Sequence, residues 1–64
     1  MYKNNMREIR QEKGLLLREI SKMTNLSEGY LSHLEKGVRK NPSVEAMEKI
    51  AEALEKSVQE VFFD

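Results

Sequence analysis

The sixteen residues from Ile20 to Glu35, ISKMTNLSEGYLSHLE, constrain this chain most, because they describe two short helices meeting at a tight turn. Ile20 and Met23 are spaced for one face of a first helix, and Leu31 and Leu34 for one face of a second. Between them lie Thr24, Asn25 and Leu26. Asn25 is the non-glycine residue that best tolerates the left-handed backbone that ends a helix. Ser27, two positions on, is a strong N-cap for the next one. A turn of about three residues sets the second helix across the first at roughly 90–120°.

Helical periodicity continues on both sides. Asn5 followed by Glu8 resembles a capping box that opens a helix running to Lys13, stopped by Gly14, with Met6 and Ile9 facing inward. The second helix is expected from about Leu16 to Thr24, with no Ser, Thr, Asp or Asn to cap its first amides. The third is expected from Glu28 to about Lys36, closed by Gly37, and a polar loop, Val38 to Pro42, follows. Ser43 caps a fourth helix whose Val44, Met47, Ile50, Ala51 and Leu54 fall at helical spacing. Ser57 and Glu60 form another capping box, and Val58, Val61 and Phe62 give a short fifth helix its apolar face. The expectation is therefore an all-α fold of five helices in one domain spanning residues 1–64, with no strand.

Sixty-four residues without cysteine leave neither a disulfide nor a thiolate metal site, and a lone His33 makes no metal site by itself. No Gly-rich phosphate loop is present, so neither a cofactor nor an enzymatic function is expected. No apolar run approaches 18 residues and no signal-peptide core is visible, which points to a cytoplasmic chain with no membrane partner. At this length no separate small-molecule effector domain is expected. Eleven basic and eleven acidic residues cancel, but unevenly. Residues 1–42 hold nine Lys/Arg and five Glu, a net +4, whereas residues 43–64 hold two Lys and six acids, a net −4. So divided, the chain has a basic part suited to an anionic partner and an acidic part that would turn away from it.

The ordered fragments IRQEKG, the turn and helix from Asn25 to Glu35, Gly37, NPS at 41–43, IAEAL and SVQEVF together resemble the lambda-repressor-like, Cro/Xre family of bacterial and phage transcriptional regulators. The resemblance covers roughly residues 4 to 62. It implies a compact five-helix domain whose second and third helices form a helix-turn-helix, the third lying in the major groove of double-stranded DNA. Within the family the chain is most similar to small sporulation and biofilm repressors, which share YLS followed by a glutamate and a longer loop before NPS.

The resemblance also assigns residues. Ser27, Glu28, Gly29, Ser32 and His33 occupy the exposed face expected to meet base edges. Arg18, Tyr30, Lys36, Arg39, Lys40 and Asn41 are expected along the phosphates, with Tyr30 packing its ring against the second helix. Arg10 and Glu35 match a pair that in this family joins helix 1 to the end of helix 3 by a partly buried salt bridge, a structural role. Three departures stand out. Where the family usually has Ser or Thr and then Gln at the start of helix 2, this chain has Leu16 and Leu17; Asn25 replaces the turn glycine; and Glu28 and Gly29 stand where Arg, Gln or Lys is common.

One helix reads only about four to six base pairs, so a selective site requires a homodimer on a palindrome with half-sites ~34 Å apart. The C-terminal Val61, Phe62 and Phe63 are the expected dimer surface; the competing arrangement folds both phenylalanines back onto helices 1 and 4. The rival function is a protein-interaction module such as an antirepressor or antitoxin, favoured by Leu16, Leu17 and Glu28.

Overall fold

In a computed structural model, which describes residues 4–38 and 41–64, four α-helices and a final π-helical turn surround one apolar cluster. The helices are α1 (Met6–Glu12), α2 (Leu17–Thr24), α3 (Glu28–Lys36) and α4 (Val44–Leu54), and the π turn spans Gln59–Phe63. No strand occurs among the described residues. Each element contributes to the core: Met6 and Ile9 from α1, Ile20 from α2, Leu31 and Leu34 from α3, Ile50, Ala51 and Leu54 from α4, and Val61 and Phe62 from the π turn. Fully burying one such side chain contributes about 1.5–3 kcal/mol, so a domain this small depends on nearly all of them.

Helix ends follow local chemistry closely. The Ser27 hydroxyl accepts from the Tyr30 N–H (3.1 Å) and the Ser43 hydroxyl from the Ala46 N–H (3.0 Å), which starts α3 and α4 where expected. Ser57 and Glu60 form the reciprocal capping box, with bonds of 3.0 and 3.1 Å. The Ser57 backbone N–H, reinforced by its hydroxyl, holds the Glu60 carboxyl below its ordinary pKa. Helices α1, α3 and α4 each end in a residue of positive φ, Gly14 (67°), Gly37 (77°) and Glu55 (58°). In each, an amide reaches back five residues, from Leu15 to Arg10, Val38 to His33 and Lys56 to Ala51.

Four local expectations are corrected. Asn5 forms no cap with Glu8; Asn4 Oδ1 instead accepts from the Met6 N–H (3.0 Å). Asn5 is used elsewhere, its backbone N–H donating to the Val61 carbonyl (2.7 Å) and its side chain to the Glu60 carbonyl (2.9 Å), which fastens the start of the chain to its end. The α2 start is not bare, because the Glu19 carboxylate accepts from the Leu16 N–H (2.7 Å). Met23, expected inward beside Ile20, is 55% exposed in an open groove with Leu15 and Ala53, and Val44 is exposed as well. Thr24 takes the inward position at the end of α2, where its hydroxyl donates to the Ile20 carbonyl (2.8 Å) and is thereby hydrogen-bonded while buried.

Arg10 links three segments. Its Nε and Nη2 donate to the two oxygens of Glu35 (2.7 and 3.2 Å), and its Nη1 donates to the Leu15 carbonyl (2.9 Å). The two side chains are only 14% and 6% exposed. The hydrogen bonds that Arg10 donates to Glu35, and the Glu35 charge beside it, raise the Arg10 pKa against the opposing effect of burial, so the guanidinium stays charged. Removing one partner strands the other charge in a half-dry place. Arg10→Ala is therefore expected to destabilise the fold by about 2–4 kcal/mol in urea melts. Arg10→Ala combined with Glu35→Ala should cost less than the sum of the single changes; additivity would mean that the pair contributes nothing.

Candidate nucleic-acid interface

The turn between α2 and α3 is built from hydroxyls as much as from backbone. Asn25 is left-handed (φ 64°), and its N–H returns to the Ser21 carbonyl (2.8 Å). Thr24 Oγ1 accepts from the Leu26 N–H (3.2 Å), and the Ser21 hydroxyl donates to the Leu26 carbonyl. With Ser27 capping α3, both backbone polar groups of Leu26 and the start of α3 are bonded inside the chain, which fixes the exit angle of α3. Ser21 and Thr24 went unrecognised in the sequence as turn locks. The available signal was two hydroxyl residues three apart at a helix end, a pattern that competes for backbone groups.

Leu31 and Leu34 are fully buried, so the opposite side of α3 faces outward. Ser27, Glu28, Gly29 and His33 are exposed there, and Ser32 is half-buried. The Ser27 oxygen is committed to the cap while its hydrogen remains a donor. Tyr30 is half-buried, packed against the core. Arg18 on α2 and Lys36 at the end of α3 are exposed, as is Asn41, which has a positive φ of 54°. Arg39 and Lys40 lie outside the described residues. Asn4 enters unforeseen: its side-chain amide donates to the Leu34 carbonyl (2.8 Å), which also accepts from the Gly37 N–H (3.2 Å) at the end of α3. Among the described residues no three His, Cys, Asp or Glu side chains converge to hold a metal, and no helix is long and apolar enough to cross a membrane.

The C-terminal expectation is corrected. Val61 and Phe62 lie in the core of a single copy and present no surface to a second one, because the tie from Asn5 to residues 60 and 61 draws this segment against the protein. Phe63 points outward, 61% exposed.

A family model described as "Helix-turn-helix" matches residues 6–61. The chain belongs to the lambda-repressor-like, Cro/Xre helix-turn-helix family. This is a family of regulatory DNA-binding proteins and not of enzymes. Its relatives include the HTH-type transcriptional regulator DdrOP3 of Deinococcus deserti, 48% identical over 72% of this chain and 35% of the relative. SinR of Bacillus subtilis is 34% identical over 83% of this chain and 48% of its own length. ClgR of Mycobacterium tuberculosis is 41% identical over 92% and 52%. The chain thus spans about a third to a half of these relatives' length. Among solved structures, the restriction-modification controller protein C.AhdI of Aeromonas hydrophila superposes with a TM-score of 0.81 at 32% identity, over 88% of this chain and 83% of that one. A SinR/SinI protein complex gives 0.80 at 33% identity, over 86% and 53%.

Because this helix-turn-helix places Asn25 where a left-handed residue is required, Asn25→Gly is expected to be neutral or slightly stabilising. Asn25→Ala should cost about 1 kcal/mol, the penalty of a Cβ in that conformation. Thermal melts of both variants measure this, and equal melting of Asn25→Ala and wild type would show the turn to be unstrained.

Proposed function

We propose that this chain is a sequence-specific double-stranded-DNA-binding regulator of transcription, acting as a cytoplasmic repressor on a palindromic operator as a homodimer, without a cofactor. The observation that carries the reading is the outward side of α3: Ser27, Glu28, Gly29 and His33 are exposed at its first turns while Leu31 and Leu34 anchor its back in the core. This arrangement supports reading by the N-terminal part of a recognition helix. Residues 1–64 act in this reading as one domain. Arg18, Tyr30, Lys36 and Asn41, with Arg39 and Lys40 of the neighbouring loop, contact phosphate and set the register without reading sequence. Ser32 and His33 join the first-turn residues at base edges.

Selectivity requires two copies, and the large apolar side chain that the C-terminal segment leaves outside is Phe63. The protein-binding alternative is favoured by a different observation, the exposure of Leu16 at the start of α2 and of Met23 on it. Selection from a random duplex library separates the two readings. A regulator of this kind recovers an inverted repeat; a protein-interaction module recovers no sequence.

On a recovered operator, replacing Lys36, Arg39 and Lys40 by Ala should weaken binding to all duplexes about equally. It should also flatten the dependence of log K on log salt by about 0.9 per lost phosphate contact, and an unchanged slope removes this loop from the interface.

Phe63→Ser should convert a dimer to a monomer that stays helical. It should also cost roughly 10²–10⁴ in apparent affinity through lost effective concentration, although no DNA contact changes. Sedimentation and circular dichroism measured together decide it. A helical Phe63→Ser protein that still sediments as a dimer places the interface elsewhere.

A further inference from the structure

We propose that Glu28 and Gly29 together set the base preference of α3: the Glu28 carboxylate accepts a hydrogen bond from the exocyclic amino group of a cytosine, and Gly29 lets the helix approach closely enough for it to do so. This deepens the DNA-binding reading and rests on it.

Gly29 is a glycine that the fold does not explain. Positive φ among the glycines is confined to Gly14 and Gly37, whereas Gly29 sits inside α3 with negative φ. A Cβ built on it meets nothing within 4 Å. Alanine would fit that space and is the better helix former, so neither backbone nor packing calls for glycine here. The remaining physical use of a glycine is to let another molecule come close to the backbone, and Gly29 lies on the exposed side, one residue after Glu28.

Glu28 is exposed and makes no hydrogen bond or ion pair with any described residue. Five other glutamates are engaged: Glu19 with the Leu16 amide, Glu35 with Arg10, Glu45 with Lys49, Glu55 with Lys13 and Glu60 with Ser57. Among the described residues Glu8, Glu12, Glu48 and Glu52 are as free as Glu28 but lie on α1 and α4, so Glu28 is the unpartnered glutamate of α3. A free carboxylate brought toward DNA is repelled by the phosphates and is tolerated only where a donor meets it. The major-groove edges offer two amino donors, on cytosine and on adenine. Adenine sets its amino group beside the N7 acceptor, which repels a second acceptor. Cytosine presents its amino group without an adjacent acceptor of its own, and a side chain that only accepts therefore selects cytosine. A glutamine, which both donates and accepts, matches adenine instead.

The test selects duplexes from a random library with wild type, Glu28→Gln and Gly29→Ala, alongside thermal melts. Wild type is expected to require a C·G pair at one position of each half-site. Glu28→Gln should retain the other positions and shift that one to A·T, with a change in preference of roughly tenfold or more. Gly29→Ala should melt about 2–6 °C higher and yet bind the wild-type site about tenfold more weakly, a divergence that a purely structural glycine would not give. The proposal is overturned if Glu28→Gln selects the same site as wild type, if Gly29→Ala binds as tightly as wild type, or if Gly29→Ala melts lower. Folded wild type that recovers no sequence overturns the DNA-binding reading itself and the proposal with it. Failure of the proposal alone is recognised by a wild type that does select a site.

Discussion

The left-handed conformation of Asn25 is the constraint on which the rest of this structure depends. It stops α2 at Thr24 and turns the chain, and the next residue that can cap a helix, Ser27, does so at once. Because the hydroxyls of Ser21 and Thr24 hold the two polar groups of Leu26, little freedom remains in the angle between the helices. That angle decides which residues of α3 are core. With Leu31 and Leu34 turned inward against Ile20 and Ile50, the first turn of α3 is left as a protruding polar edge. A shift of one residue in the turn would rotate α3 by about 100° and bury the wrong side.

Charge is arranged around that edge by pairing more than by composition. Glu35 is an acid on α3, but Arg10 neutralises it from behind while also holding the Leu15 carbonyl. The pair thus removes a negative charge from α3 and locks α1 to its end. The two other ion pairs, Lys13 with Glu55 and Lys49 with Glu45, are longer at 3.6 Å and more exposed, and such pairs contribute little to stability. Their acids belong to the negative half of the chain, on α4 and its end. Glu28 is the acid that this pairing leaves at the start of α3.

The ends of the molecule are joined. The amide and side chain of Asn5 reach residues 61 and 60, and the Asn4 side chain reaches Leu34, so the two residues just before α1 already touch α3 and the C-terminal turn. The two Asn5 bonds hold Val61 and Phe62 against the core and leave Phe63 outside. The same contacts that complete the fold thereby define how much apolar surface it offers a second copy.

Local chemistry was legible in the sequence at the strongest caps and stops, though not at the Ser21 and Thr24 turn locks or the Glu19 and Asn4 caps. The serine caps of α3 and α4, the Ser57–Glu60 box, the stop at Gly37 and the left-handed Asn25 all operate within about five residues, and all stand where periodicity and composition put them. The exposed edge of α3 was legible for the same reason, since Leu31 and Leu34 mark its opposite side. Tertiary structure decided what depends on a partner distant in the chain. Asn5 suits an N-cap equally well in isolation, but the carbonyls of residues 60 and 61 compete for it and win. Met23 and Thr24 both flank the α2 stripe, and only the position of the neighbouring helices determines that the small hydroxyl goes inward and the large thioether outward. Val61, Phe62 and Phe63 form one continuous apolar run in sequence; which of them are covered depends on where α1 lies, a fact that no local pattern contains.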